Sequence, residues 1–244
     1  MKIVNAEWEK RNLGVETIEI SIDRNDSLSE VEAAVKNPNA QYIVLKIPND
    51  RVDIIFAVQK YGYIFIEGMV HLVNHLKNME VSKIERRIYD SIDIVKMDSS
   101  DIDYLKSEVK DGLFDSDRVY LDSYFSKEQA AQRYINWIDD ELGRGTEYYK
   151  YVYRGNSIGF FALREIGDGH YTSFLGGVYN AYRNSGLGAV VKGPEFVKAF
   201  GAKSIDSYVS TNNIAQIRNL NAHGYEIKEI TYTFIRHKER LDNE

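Results

Sequence analysis

The sequence predicts an α/β (α+β) chain, helices flanking a sheet, with a smaller α/β module at its N-terminal end. Three observations carry this. Strand-like apolar runs alternate with amphipathic helical patterns over residues 17–72 and again over 187–236. Three strand-like runs follow one another, 149–153 joined to 157–164 at Arg154-Gly155-Asn156, a plausible hairpin turn, and 157–164 joined to 171–178 by Gly167-Asp168-Gly169. The chain has 244 residues, 43% of them hydrophobic, which suits one large domain or two small ones with a real core.

Residues 17–22 alternate as a strand. Ser27 caps a helix through Lys36, and Glu30 completes a capping box. Residues 42–47 form an apolar strand. Residues 50–61 form a helix with Ile54, Ile55 and Val58 on one face, stopped by Gly62. Residues 63–72 close this unit as a strand. The polar stretch 74–85 is the best boundary, dividing a module of residues 1–80 from a domain of residues 86–240. Beyond it come a strand at 92–95, a helix at 101–110, a loop, and a strong amphipathic helix at 127–142 carrying Ala131, Tyr134, Ile135 and Ile138. After the three successive strands the pattern reads helix 187–199, strand 204–209, helix 213–222, strand 225–228 and strand 231–236.

Residues 43–68 overlay residues 205–230 without a gap, so that Ile43, Gly62, Tyr63 and Glu67 meet Ile205, Gly224, Tyr225 and Glu229. Two readings fit equally. Either the N-terminal module is a degenerate half-copy of the second domain, or any β-α-β unit with a glycine after its helix would align this well.

Composition excludes several classes. A formal charge of −6 and a pI near 5.5 argue against nucleic acid as the main partner. No cysteine is present, which removes disulfides, thiolate nucleophiles and cysteine zinc sites. His71 and His75 have no third ligand in view, so no metal is expected. The N-terminus has no apolar signal core and no run is long enough to span a membrane, so the expected address is the cytoplasm, without a membrane partner. A homodimer is left open. The 18 tyrosines offer apolar area with a polar tip, suited to holding polar ligands.

The sharpest motif is Arg183-Asn184-Ser185-Gly186-Leu187-Gly188, between a strand and a helix. Orphan amides and the positive dipole end of a helix bind anions, glycines let the backbone come close, and Arg183 adds a fixed charge. No Lys-Ser/Thr pair follows, and the glycine order is wrong for a dinucleotide fingerprint. A two-glycine turn is also common as a turn and nothing more.

With the following strand, Asn213 before a helix and Gly224-Tyr225 after it, this order resembles the GNAT N-acetyltransferase superfamily over roughly residues 92–236. The stretch holding Asp117, Arg118, Asp122, Tyr134, Trp137 and Ile138 is similar to the TDP-fucosamine acetyltransferase group of sugar N-acetyltransferases. The resemblance implies a GNAT fold, a mixed, mostly antiparallel twisted sheet flanked by helices. It implies acetyl-CoA as cosubstrate and direct acetyl transfer to the amine of an amino sugar, nucleotide-linked. It places the coenzyme pyrophosphate on Arg183, Asn184, Ser185, Gly186, Leu187 and Gly188, and the pantetheine arm along Gly177 and Val178. Asn213 would bind the arm, or serve only as a helix N-cap.

The family often has a tyrosine seven residues after that asparagine, to protonate the departing thiolate. Here the position is Leu220, so no catalytic acid is carried over. Tyr179, Tyr182, Tyr208, Asn219 and His223 are candidates by position, His223 also as a partner of the helix dipole. Asp117, Arg118, Asp122, Tyr134 and Trp137 are candidates for the acceptor, against ordinary packing and solvated charge. Other primary amines, such as a peptide N-terminus or a polyamine, and a non-catalytic acyl-CoA-binding module are the alternatives.

Overall fold

The structure is a computed structural model describing residues 1–36, 38–76, 82–187 and 192–238. In chain order its elements are β1 (Lys2–Asn5), α1 (Glu7–Leu13), β2 (Thr17–Ser21), α2 (Leu28–Lys36), β3 (Tyr42–Pro48), α3 (Val52–Gln59) and β4 (Ile64–Asn74). Next come α4 (Lys83–Asp90), β5 (Ile92–Lys96), α5 (Ser99–Lys110), α6 (Arg118–Leu121), α7 (Lys127–Gly143), β6 (Glu147–Tyr153), β7 (Asn156–Gly167) and β8 (His170–Val178). The chain ends with α8 (Lys192–Ala199), β9 (Ser204–Ser210), α9 (Ile214–Ala222) and β10 (Glu226–His237).

All ten strands join one sheet in the order β1-β2-β3-β10-β4-β9-β8-β7-β6-β5. Among the described residues only β2–β3 and β8–β9 are parallel pairs. Alternation along each strand sends side chains to two separate cores. On one face Ile43, Leu45, Ile47 and Phe234 meet α2 and α3, while Leu72, Ile205 and Val209 meet α4, α8 and α9. On the other, Phe160, Ala162 and Leu175 meet α5 and α7, while Tyr42, Val44 and Ile235 meet α1, α6 and the start of α7.

The strand order reads the same outward from the central β10–β4 pair. β3 and β9, β2 and β8, and β1 and β7 occupy matching places with matching directions. The units β3-α3-β4 and β9-α9-β10 are the two segments that overlay in sequence. Their last strands are exchanged, so β4 pairs with β9 and β10 pairs with β3.

Several expectations need correction. The expected strands 225–228 and 231–236 are one strand, β10, because a bulge between Ile227 and Glu229 absorbs the break in alternation. Within the polar stretch 74–85, residues 77–81 lie outside the described residues, and a capping box between Ser82 and Glu85 starts α4. The loop after α5 contains α6, capped by Asp117. β1 and α1 had no sequence signal, since α1 buries Glu9 as well as Leu13. Of the helix expected over 187–199, α8 covers Lys192–Ala199, and 188–191 lie outside the described residues.

Candidate functional site

β8 and β9 are paired only from His170↔Ser204 to Ser173↔Ser207, where the Ser207 hydroxyl donates to the Ser173 carbonyl at 3.2 Å. β8 then runs on to Val178 and β9 to Ser210 with no further pairing between them. The opening is a groove walled by Gly176, Gly177 and Val178 of β8 and Ile205 and Ser207 of β9. α8 adds Gly193 and Pro194, α9 adds Gln216, Asn219 and Leu220, and Tyr151 and Tyr225 complete the lining. Strand edges parted in this way offer backbone donors and acceptors to an extended ligand.

Glycine builds this wall. A Cβ at Gly159 would lie 2.3 Å from the Gly177 carbonyl oxygen and 3.0 Å from Val178 Cα, so only glycine lets β7 support β8 at the groove. Asn184 and Gly186 both sit at positive φ, 67° and 73°, which curls residues 183–187 into a tight turn. Within it the Ser185 hydroxyl accepts from the Leu187 amide at 3.2 Å. Arg183 donates to the carbonyls of Gly112 and Leu113, tying the turn to the end of α5. Gly188 lies outside the described residues.

Of the residues expected to hold the coenzyme, Gly177 and Val178 line the groove. Asn213 caps α9, its side chain accepting from the Gln216 amide at 3.1 Å. Leu220 and Asn219 both line the groove. Tyr179 is fully buried against Phe160 and Tyr104, and burial pushes its hydroxyl pKa well up. Tyr182 packs at the junction of two cores. Tyr208, the first β9 residue past the last parallel pair, is half-exposed on the α7 face and stacks on His71, whose Nε2 lies 2.9 Å from Asp206. His223 is buried between the Asn219 carbonyl, 2.6 Å from Nδ1, and the Tyr89 hydroxyl, 2.7 Å from Nε2. Tyr151 was not singled out from sequence, and Tyr225 only as part of the overlay and the Gly224-Tyr225 motif; burial raises both hydroxyl pKa values.

The residues expected to hold the acceptor lie across the sheet from α8 and α9. Arg118 is buried and bonds Glu9 at 2.5 Å and Glu19 at 3.0 Å. Arg133 joins Glu9 at 2.9 Å and Asp117 at 3.2 Å. Burial alone would raise the Glu9 carboxyl, but Arg118 and Arg133 outweigh it and hold it at about 2. Asp122 is buried against His237 at 2.7 Å. Tyr134 is in the core, with its hydroxyl toward Asp117. Trp137 lines a separate cavity with Trp8, its ring 5.5 Å from Phe174 of β8.

Among these charges sits a residue the sequence marked only through the repeat. Glu67 of β4 is 3% exposed, and its Oε2 has no hydrogen-bond partner. Burial, reinforced by Asp117, pushes its carboxyl up to about 7, against the opposing pull of Arg118 and Ser210. Next to it the Gly68 amide donates to Thr211 Oγ1 and the Thr211 amide to the Gly68 carbonyl, which fixes Glu67 beside the open end of β9. Among the described residues no group of three or more His, Asp or Glu is placed to hold a metal. Among them, too, no helix is long and apolar enough to cross a membrane.

No protein-family model matches the sequence, and no curated protein matches it. Solved structures do. A GCN5-related N-acetyltransferase from Sphaerobacter thermophilus superposes with a TM-score of 0.62 at 12% identity, over 97% of this chain and 75% of that one. A functionally unknown conserved protein from Staphylococcus epidermidis gives 0.55 at 16% identity, over 91% and 84%. A tandem GNAT protein from the clavulanic acid biosynthesis pathway gives 0.52 at 12% identity, over 91% and 75%. The mixed, mostly antiparallel sheet with helices on both faces is the GNAT fold.

Proposed function

We propose that the chain is an acetyl-CoA-dependent N-acetyltransferase acting on the primary amine of a nucleotide-linked amino sugar, by direct attack in a ternary complex. The observation that carries it is the parting of β8 and β9 after Ser173 and Ser207, opposite α8 and α9. Gly177 and Val178 would hold the pantetheine arm through their free backbone edge, and the turn at 183–187 leading to α8 would hold the pyrophosphate.

Acetyl transfer forms a C–N bond, breaks the C–S bond and must remove a proton from the attacking nitrogen. Glu67 is our candidate base. It lies on β4, the strand beside β9, and a pKa of about 7 suits proton transfer from an ammonium near neutral pH. The thiolate, with a pKa near ~8.5, leaves without obligatory protonation. Tyr151 and Tyr225, kept protonated by burial, are the tyrosine hydroxyls lining the groove and our candidates to donate to it.

The test is thiol release from acetyl-CoA with amino sugars, nucleotide-linked amino sugars, peptides and polyamines as acceptors. Release only with peptides or polyamines would move the acceptor. Acetyl-CoA binding with no release on any amine would favour a non-catalytic acyl-CoA-binding module, a reading motivated by Leu220 in the groove. Gly186→Val, at φ 73°, should abolish acetyl-CoA binding, and unchanged affinity would remove the pyrophosphate from this turn.

A further inference from the structure

β9 lies inside the sheet, between β4 and β8, yet Tyr208 on it is 52% exposed. Its neighbours on that face are covered. Phe174 of β8 packs on Trp137 of α7, and Ser210, two residues further along β9, is buried. One side of the Tyr208 ring is taken by His71, directly opposite on β4, with 4.4 Å between ring centres and 12° between planes. His71 is held in that place by Asp206, 2.9 Å from its Nε2, and both side chains are largely buried. Among the described residues no second ring packs on Tyr208. The charges that act on it are carboxylates: burial, Asp206 and Glu229 together raise its hydroxyl pKa, Glu229 itself facing Arg24 at 3.5 Å. The face of an aromatic ring is negative, and nearby carboxylates deepen that potential.

We infer that the open side of the Tyr208 ring receives the acceptor as its ammonium ion, with His71 and Asp206 positioning the ring. The placement fits the chemistry. Ser210 hydrogen-bonds Glu67, so the ring and that carboxyl stand two residues, roughly 7 Å, apart along β9. The ammonium gives a proton to the Glu67 carboxylate, directly or through one water, and becomes the neutral amine. Losing its charge frees the nitrogen from the ring. Its lone pair then attacks the thioester carbon where β8 and β9 part, one residue before Tyr208. This use of the ring rests on the proposed acetyl transfer; the binding of an ammonium ion does not.

With carbon-13 in the tyrosine rings, the signal that Tyr208→Phe removes belongs to Tyr208. In the native chain it should shift saturably with propan-1-amine at neutral pH, and not with propan-1-ol at equal ionic strength. Equal shifts from both, or none at tens of millimolar amine, would overturn the assignment. In turnover, Tyr208→Leu should raise KM for the amine roughly five- to thirtyfold and leave KM for acetyl-CoA and thermal unfolding unchanged. Tyr208→Phe keeps the ring and should stay within about threefold of the native KM. His71→Ala should raise the same KM, and His71→Phe, which restores the stack, should bring it back. A fall in kcat with native amine KM in Tyr208→Phe would make the hydroxyl a proton donor and refute the platform. Ring shifts without thiol release on any amine would keep the site and sink the transferase reading. Turnover with native amine KM in Tyr208→Leu would do the reverse.

Discussion

Glu67→Gln should make the protein more stable and less active at once, and the stability gain should depend on pH. Glu67 is 3% exposed, and burial moves its carboxyl from 4.5 to about 7. A group raised in the folded state favours folding fully below its unfolded value. That contribution is eroded as pH rises from about 4.5 and is gone above about 7. The difference corresponds to about 3 kcal/mol of stability withheld at pH 8. Glutamine keeps the shape and cannot ionise. The variant should therefore match the native chain near pH 4 and unfold roughly 6–12 °C higher at pH 8. Thermal unfolding at a series of pH values reads this directly.

The activity arm runs the other way. If Glu67 takes the amine proton, kcat/KM of the native chain rises with pH to a plateau governed by a group near 7. Glutamine should lower that plateau by roughly 10²–10⁴-fold. A gain over the native chain no larger at pH 8 than at pH 4, or a variant retaining the native pH–rate profile, would refute the reasoning.

Gly159→Ala should weaken acetyl-CoA binding at least roughly tenfold in calorimetry and cost about 1–3 kcal/mol of stability, because its Cβ must displace the Gly177 carbonyl. Acid should loosen the joint between α1 and α7. Glu9, held at about 2 by Arg118 and Arg133 despite burial, contributes stability that is full above about 4.5 and lost as pH falls toward 2. Glu9→Gln should lower the urea midpoint at pH 7 by the equivalent of about 3–5 kcal/mol, since two buried guanidiniums lose their shared carboxylate. Residues 86–240 expressed alone should not unfold cooperatively, because β9 and β10 lose β4 between them; a sharp calorimetric transition would contradict this.

Much of the fold was legible where one residue pattern serves one face. Residues 42–48 and 204–210 are strands, and 127–143 a helix, by their own periodicity. Gly177, Val178 and Asn219, which were named through the resemblance, line the groove. What failed to show was long-range charge. Arg118 pairs with Glu9 across 109 positions and His237 with Asp122 across 115, so residues that read as solvated or as acceptor ligands are buried. α1 was missed for the same reason, as its buried Glu9 breaks the apolar stripe by which a helix is recognised. Glu67 was visible only as the partner of Glu229 in the overlay; burial separates them, one 3% exposed and the other with 40% of its side chain exposed.

The two halves of the sheet share a topology, and particular residues make one open and the other closed. On β8 the chain past the last parallel pair runs Phe174-Leu175-Gly176-Gly177-Val178, where two glycines leave no side chain to fill the gap. Its counterpart β2 is Thr17-Ile18-Glu19-Ile20-Ser21, a β-branched strand that stays paired with β3 to its end, and the Ile22 amide adds a bond to the Lys46 carbonyl at 2.9 Å. At the helix that follows, Asn213 caps α9 with a short side chain, whereas the matching Arg51 before α3 reaches back into the turn after β2. There its guanidinium donates to the carbonyls of Arg24 and Asp26, both at 2.8 Å. That turn corresponds to the one carrying Arg183–Leu187. A cation therefore occupies the place where the open half would receive pyrophosphate, and the strand edge a pantetheine arm would need is already bonded. The first half therefore offers neither the parted strand edge nor the open turn, and on its other face it buries Glu67.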